Sequence, residues 1–200
     1  VLIDYMVPNG SSYIGKHGAD FVLTNDLAWV GFSVEVGADG AIYILDWHDQ
    51  DICGNSVRFP NSARVYRLAP KGLKNPQVAD LRKRSDKQLA ELQMHKNDWY
   101  VKHARIILQE RAAKGKLNRQ VVEPILWETF KNASTIGKRL RGMWALHAIA
   151  SLKSNSYTAL IKLLDDEHER VRAWAVQLLC EEKAPEAALK KFKDANGKDQ

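Results

Sequence analysis

The chain has 200 residues, is 45% hydrophobic and carries a formal net charge of +6, a composition that supplies a real core for one or two domains and excludes a disordered chain. It has no run of about 18 apolar residues, so no helical membrane span is expected. Charge is unevenly placed: residues 1–70 hold four basic and eight acidic residues, residues 71–200 hold 26 basic and 16 acidic ones.

The first strand candidate is "VLIDYMV", residues 1–7. Because the chain begins with Val, its first residue is expected not to be the natural N-terminus, and the lack of a visible signal peptide carries no weight. Next comes a hairpin signal, "FSVEVGADGAIYILDWHD". Phe32, Val34 and Val36 alternate with Ser33 and Glu35, the period of a strand. Asp39-Gly40 is a turn pair that tolerates positive φ. Residues 41–45 are apolar on both faces, as a central strand would be. "ARVYRL", residues 63–68, predicts another strand with Val65 and Leu68 inward and Arg64 and Arg67 outward. Strand, Asp-Gly turn, strand, polar loop, strand is the rhythm of a propeller blade, and seventy residues hold fewer blades than a closed propeller needs.

After the apolar strand comes a burst of Asp46, His48, Asp49 and Asp51. Carboxylates beside a histidine can bind Ca²⁺ or act as a general base, so Asp46, His48 and Asp51 are the candidate catalytic residues. The competing expectation is ordinary turn chemistry, in which Asp side chains bond their own backbone and Asp46 and Trp47 pack the blade. The spacing is not that of an EF-hand loop.

At "APKGLKNPQ", Pro70, Gly72 and Pro76 punctuate the chain where its charge changes sign. A boundary is read there, with a β part over 1–70 and an α part over 77–195. From Ser85 the apolar period becomes helical. "SDKQLAEL" has Ser85 as N-cap and Gln88 three residues on, a capping box. "NDWYVKHARIILQERAAKG" puts Val101, Ala104 and Leu108 on one stripe with Gly115 past the end. Two more pairs follow: "NRQVVEPILWETF" with "GKRLRGMWALHAIASL", and "SYTALIKLL" with "EHERVRAWAVQLLCEE". Trp144-Ala145-Leu146 and Trp174-Ala175-Val176 recur 30 residues apart, close to the HEAT-like pattern of paired helices at roughly 35–47-residue spacing. Pro185 is placed at the start of one further helix, "PEAALKKFK".

His103 and His147 fall in the second helices of the first two pairs. A metal or haem ligand ladder is conceivable there, but no converging partners have ligand spacing, and packed histidines are the expectation. Trp144 and Trp174 are read as core, and the surplus of Lys and Arg as solvated helix faces. Cys53 and Cys180 match no paired motif, and the haem-attachment pattern C-x-x-C-H is absent from the sequence.

"VEVGADGAIYILDWHDQDICGN", "ARVYRL", "NDWYVKHARIILQERAAKG", "RLRGMWALHAI" and "DDEHERVRAWAVQLLCEE" together resemble the bacterial membrane-bound dehydrogenase family, over about residues 10–193. The resemblance implies a partial β-propeller like that of quinone-dependent sugar dehydrogenases, followed by a HEAT/ARM-like α-helical solenoid. It also implies an exported, periplasmic or membrane-associated oxidoreductase whose full-length form uses a quinone cofactor, Ca²⁺ or haem c. No cofactor or metal ligand set is assigned within this segment, and any catalytic apparatus of the parent is expected upstream. The segment is then structural or interaction-mediating, its partners being other domains of the same polypeptide and a protein bound through the helices. The alternative is a HEAT-like scaffold that binds a protein or nucleic acid without catalysis, although the acidic, strand-rich front half argues against nucleic acid. A stand-alone hydrolase built on Asp46, His48 and Asp51 is the third reading.

Overall fold

The computed structural model describes residues 1–10, 12–49, 61–73, 80–153 and 157–182. The chain divides into two compact units, Val1–Val78 and Ala79–Gln200.

The first unit holds two antiparallel sheets. β1 (Asp4–Asn9) pairs with β2 (Ser12–His17), Val7 lying opposite Ile14. Gly10 follows β1 at φ +59°, a left-handed conformation that glycine adopts without a Cβ penalty. Every residue of both strands is exposed. The second sheet runs β3 (Gly31–Val36), β4 (Ile42–Asp46), β5 (Arg64–Leu68), with β4 in the middle. Gly37–Ala41 closes the β3–β4 hairpin through Gly37 N–H to Ala41 O at 2.8 Å, with Gly40 at φ +80°. A register shift between Gly31 and Ser33 sets Phe32 off the ladder, a bulge that bends the edge strand. Among the described apolar residues of this unit, Ala28, Ala41 and Ile44 are buried.

The second unit is helical: α1 (Asp86–Glu91), α2 (Asp98–Ala113), α3 (Arg119–Asn132), α4 (Ile136–Ala148), α5 (Thr158–Lys162) and α6 (Glu169–Glu182). Start signals in the sequence act locally here. Ser85 Oγ accepts the Gln88 N–H while the Gln88 side chain accepts the Ser85 N–H, a complete capping box. Asn97 caps α2 by accepting the Trp99 N–H at 2.9 Å, and Thr135 caps α4 by accepting the Lys138 N–H. One apolar cluster runs from Leu81 to Leu178 and includes Leu89, Leu108, Leu126, Met143, Leu146 and Leu160. α3 and α4 cross closely at Gly142, where a Cβ would stand 2.7 Å from the Phe130 backbone nitrogen and 2.9 Å from the Leu126 carbonyl.

The architecture corrects the expected one. The fold is an α+β mix of two small antiparallel sheets and six helices among the described residues, without propeller blades or a HEAT/ARM-like solenoid. A blade needs four paired strands, whereas these five divide into separate sheets of two and three. The helices do not repeat as matched pairs. α1 and α5 have six and five residues and run directly into 3₁₀ turns, while α3 has fourteen. The sequence pattern is set by apolar period alone, and that period is the same for any amphipathic helix that meets a shared core. α4 also ends four residues before the apolar pattern does, because Ala150 turns the chain at φ +64°.

β5 departs from its expected facing as well. Arg64 pairs with Asp46, Tyr66 with Ile44 and Leu68 with Ile42, so these three share the face of buried Ile44. Val65 points to the other side and is 67% exposed. Strand period two forbids Val65 and Leu68 from sharing a face, and a carboxylate waiting at Asp46 draws Arg64 inward.

Candidate functional site

Asp46 closes β4 and is fully enclosed, with 0% exposure. Its Oδ1 accepts the Val30 N–H at 2.9 Å and the His48 N–H at 3.0 Å. Its Oδ2 accepts Arg64 Nε at 2.9 Å and Arg64 Nη2 at 2.7 Å. Burial alone would raise the carboxyl's pKa. The Val30 amide, the Arg64 guanidinium and the His48 amide together outweigh it and hold the pKa below the ordinary carboxylate value. A carboxylate with both oxygens filled by donors has no lone pair directed at a substrate proton, so this geometry suits a clamp rather than a general base.

Arg64 reaches past Asp46 to a second acid, Asp26, donating from Nη2 to Oδ2 at 2.7 Å. Asp26 also accepts the Ala28 N–H at 3.0 Å. Arg64 first, and the Ala28 amide next, keep its carboxyl below the usual range. The guanidinium lies 5.3 Å from the Tyr66 ring centroid, and Trp29 meets Tyr66 edge to face at 5.1 Å. Thus a loop acid, a strand-end acid and a strand arginine bind the segment before β3 to the ends of β4 and β5.

His48, at φ +52°, stands beside this clamp. Its Nδ1 is 2.9 Å from Ser62 Oγ and its Nε2 is 3.4 Å from Asp26 Oδ2. Ser62–His48–Asp26 has the connectivity of a nucleophile, a base and an orienting carboxylate, and sequence reading missed it. Two features direct it elsewhere. The Asp26 oxygen that faces His48 is already held 0.7 Å closer by Arg64 (3.4 against 2.7 Å). The Ser62 hydroxyl is also 3.3 Å from the carbonyl of His48 itself, so the arrangement ties two loop ends together.

At the turn of the β3–β4 hairpin a third acid, Asp39, does similar work. Asp39 accepts Arg67 Nε at 2.7 Å, the Tyr43 hydroxyl at 3.1 Å and the Ala41 N–H at 3.0 Å. Burial opposes its ionisation, but these donors prevail and its pKa is lowered.

Of the residues expected to form a site, the structure therefore places Asp46 and His48 in one network, through the amide of His48. Asp51 lies outside the described residues, as does Cys53. Asp26, Arg64 and Ser62 complete the network and were not singled out as site residues. The one local signal was the acid in "NDLAWV", an Asx-type turn in which Asp26 accepts the N–H two residues on.

In the helical unit, His103 stacks on Trp99 with centroids 3.9 Å apart, its Nδ1 2.8 Å from the Trp99 carbonyl. His147 sits in α4 and is half-buried. Among the described residues, no group of three His, Cys, Asp or Glu is arranged to hold a metal ion. An open groove of about 590 Å³ is lined by Leu81, Arg84, Gln88, Glu91, Met94 and His95, among others. None of the helices described is long and apolar enough to cross a membrane.

No family model, curated protein or solved structure matches this chain.

Proposed function

We propose that this chain is a non-catalytic, interaction-mediating segment of a larger exported oxidoreductase. The observation that carries the interaction reading is an uncovered apolar patch at one end of the three-stranded sheet. Leu45 and its partner Val65, with Trp47 two residues on and Phe32 at 6.5 Å from the Trp47 ring, form one patch and all are exposed. A contiguous apolar patch of this kind is the mark of a surface that another body covers. We assign that cover to other domains of the same polypeptide. The non-catalytic reading is supported by the closed hydrogen bonding of Asp46 and the Arg64 hold on Asp26.

The oxidoreductase and its extracytoplasmic location rest on the resemblance of "NDWYVKHAR" and "HERVRAWAVQLLCE" to the bacterial membrane-bound dehydrogenase family. On this proposal, quinone, Ca²⁺ or haem c belongs to other parts of the polypeptide. The purified chain, supplied with sugars, quinone cofactor, Ca²⁺ and a redox dye, should reduce no dye above the buffer control. Turnover that disappears in Asp46→Asn would overturn the non-catalytic reading.

A further inference from the structure

Half-buried arginines of the helical unit follow a rule. Arg111 holds Asp86 at 2.5 Å, Arg139 holds Asp166 at 2.9 Å and Arg141 holds Asp98 at 2.5 Å. Each ion pair keeps a desolvated guanidinium matched to a carboxylate. Arg105, on α2, breaks the rule. It lies over the Trp144 ring of α4 at 5.3 Å, and among the described residues its one side-chain hydrogen bond is a long 3.4 Å contact to Gln93 Oε1. No carboxylate lies within ion-pair distance of it among the described residues. Among the described residues, most of its fork of five donors has no protein acceptor.

The surroundings sharpen the mismatch. Burial lowers the Arg105 pKa, and the nearby positive charge of Arg141 lowers it further, with Asp98 opposing them. That acid is already bonded to Arg141. The Trp144 indole N–H is enclosed and finds no acceptor among the described residues, and Trp144 meets Trp174 of α6 edge to face at 5.0 Å. Arg105, Trp144 and Trp174 therefore form one stack across three helices, rich in donors and poor in acceptors. Arg and Trp are also the residue types that dominate binding energy at protein interfaces.

We propose that this stack is a receiving site for a carboxylate borne on an acidic, partly apolar peptide segment, with Arg105 taking the carboxylate and the half-buried Trp144 and Trp174 taking the adjoining apolar side chain. The proposal rests on reading the chain as interaction-mediating and names the partner chemistry of its helical unit. Arg141 is already neutralised by Asp98, so among the described residues the stack offers one positive charge without a carboxylate. That fits a single carboxylate better than the succession of charges along a nucleic-acid backbone, which calls for a row of exposed cations.

The probe is a fluorescein-labelled peptide of alternating Leu and Glu, titrated into the intact chain and read by anisotropy. Arg105→Met keeps the apolar stem and removes the charge. Lys102→Met makes the same charge change at an exposed position on the same helix. Arg105→Met should weaken binding about tenfold or more, and Lys102→Met less than about twofold. Circular dichroism should show that Arg105→Met keeps the helical signal of the parent at the temperature of the titration. A peptide with Gln in place of Glu should lose binding to the same degree as the Arg105 variant. Equal losses in the two variants would mean diffuse charge attraction and overturn the site. So would tight binding of the Gln peptide, or a single-stranded oligonucleotide that binds more tightly than the peptide. Dye reduction by the chain would strike at the non-catalytic reading alone and leave this binding result standing.

Discussion

Arg64 and Asp46 are register partners on neighbouring strands, and Arg64 holds Asp46 with two nitrogens, Nε at 2.9 Å and Nη2 at 2.7 Å. The pair sits where β4 ends and β5 begins, and where the segment before β3 is attached through the Val30 N–H. Removing the arginine leaves an enclosed carboxylate facing only two amides, and an unpaired buried charge is among the strongest destabilising changes. Arg64→Leu should therefore lower the urea midpoint of the first unit more than Arg67→Leu does, because Arg67 serves the opposite, more accessible end. Trp29 fluorescence, which reports the Trp29–Tyr66 contact, would follow the transition. Equal effects of the two substitutions would show that the enclosed acid is not the critical one.

The same network gives the first unit an acid limit. The Asp26, Asp39 and Asp46 pKa values are all lowered in the fold. Each contributes stability that is present above the unfolded carboxylate pKa of about 3.9 and is lost as pH falls through the lower folded value. The first unit should stay folded at pH 5 and lose its β-sheet signal progressively below about pH 4. Circular dichroism against pH measures this, and Asp46→Asn should flatten the acid limb while lowering stability at neutral pH.

Gly142 and Gly137 lie on the same helix and should respond oppositely to alanine. Around Gly137 a Cβ meets nothing within 4 Å, so Gly137→Ala should stabilise by up to about 1 kcal/mol through helix propensity. At Gly142 the new methyl would press on the backbone of Phe130 and Leu126, which cannot swing aside as a side chain would. Gly142→Ala should destabilise by about 1–3 kcal/mol despite the same propensity gain. Thermal melts of the two variants against the parent decide the matter.

Trp174 is half-buried, packed against the core and against Trp144. Complete burial would make Trp174→Ala cost about 3–5 kcal/mol, and partial burial reduces this to about 2–3 kcal/mol. A thermal midpoint within a degree or so of the parent would mean the ring serves a partner alone and contributes nothing to the core.

Much of the helical unit was determined by sequence alone. The capping box at Ser85 and Gln88, the stripe Val101, Ala104, Leu108 and the stop at Gly115 are all present. Caps and stripes are interactions within one or two turns, so a short window of sequence contains all their parts. The β3–β4 hairpin belongs to the same class, since its turn and both strands lie within 16 residues. The β1–β2 hairpin could have been read from the Gly10-Ser11 pair in the sequence, but β2 lacks the apolar alternation that marks a strand with a buried face.

Tertiary structure decided the rest, because it joins residues whose separation carries no period. Arg64 reads as an outward charge until strand register sets it opposite Asp46, 18 residues away. Asp26 and Ser62 look like loop residues until Arg64 and His48 bring them together. Sheet count and helix matching, which separate this fold from blades and solenoids, depend on which strands find each other and where turns cut helices short. Arg105 is legible as a helix-surface cation, and only the packing of α2 on α4 shows it desolvated over Trp144, with no carboxylate at ion-pair distance among the described residues. Local order follows from interactions close along the chain, whereas pairing, burial and the identity of a site follow from contacts that only the folded backbone brings within reach.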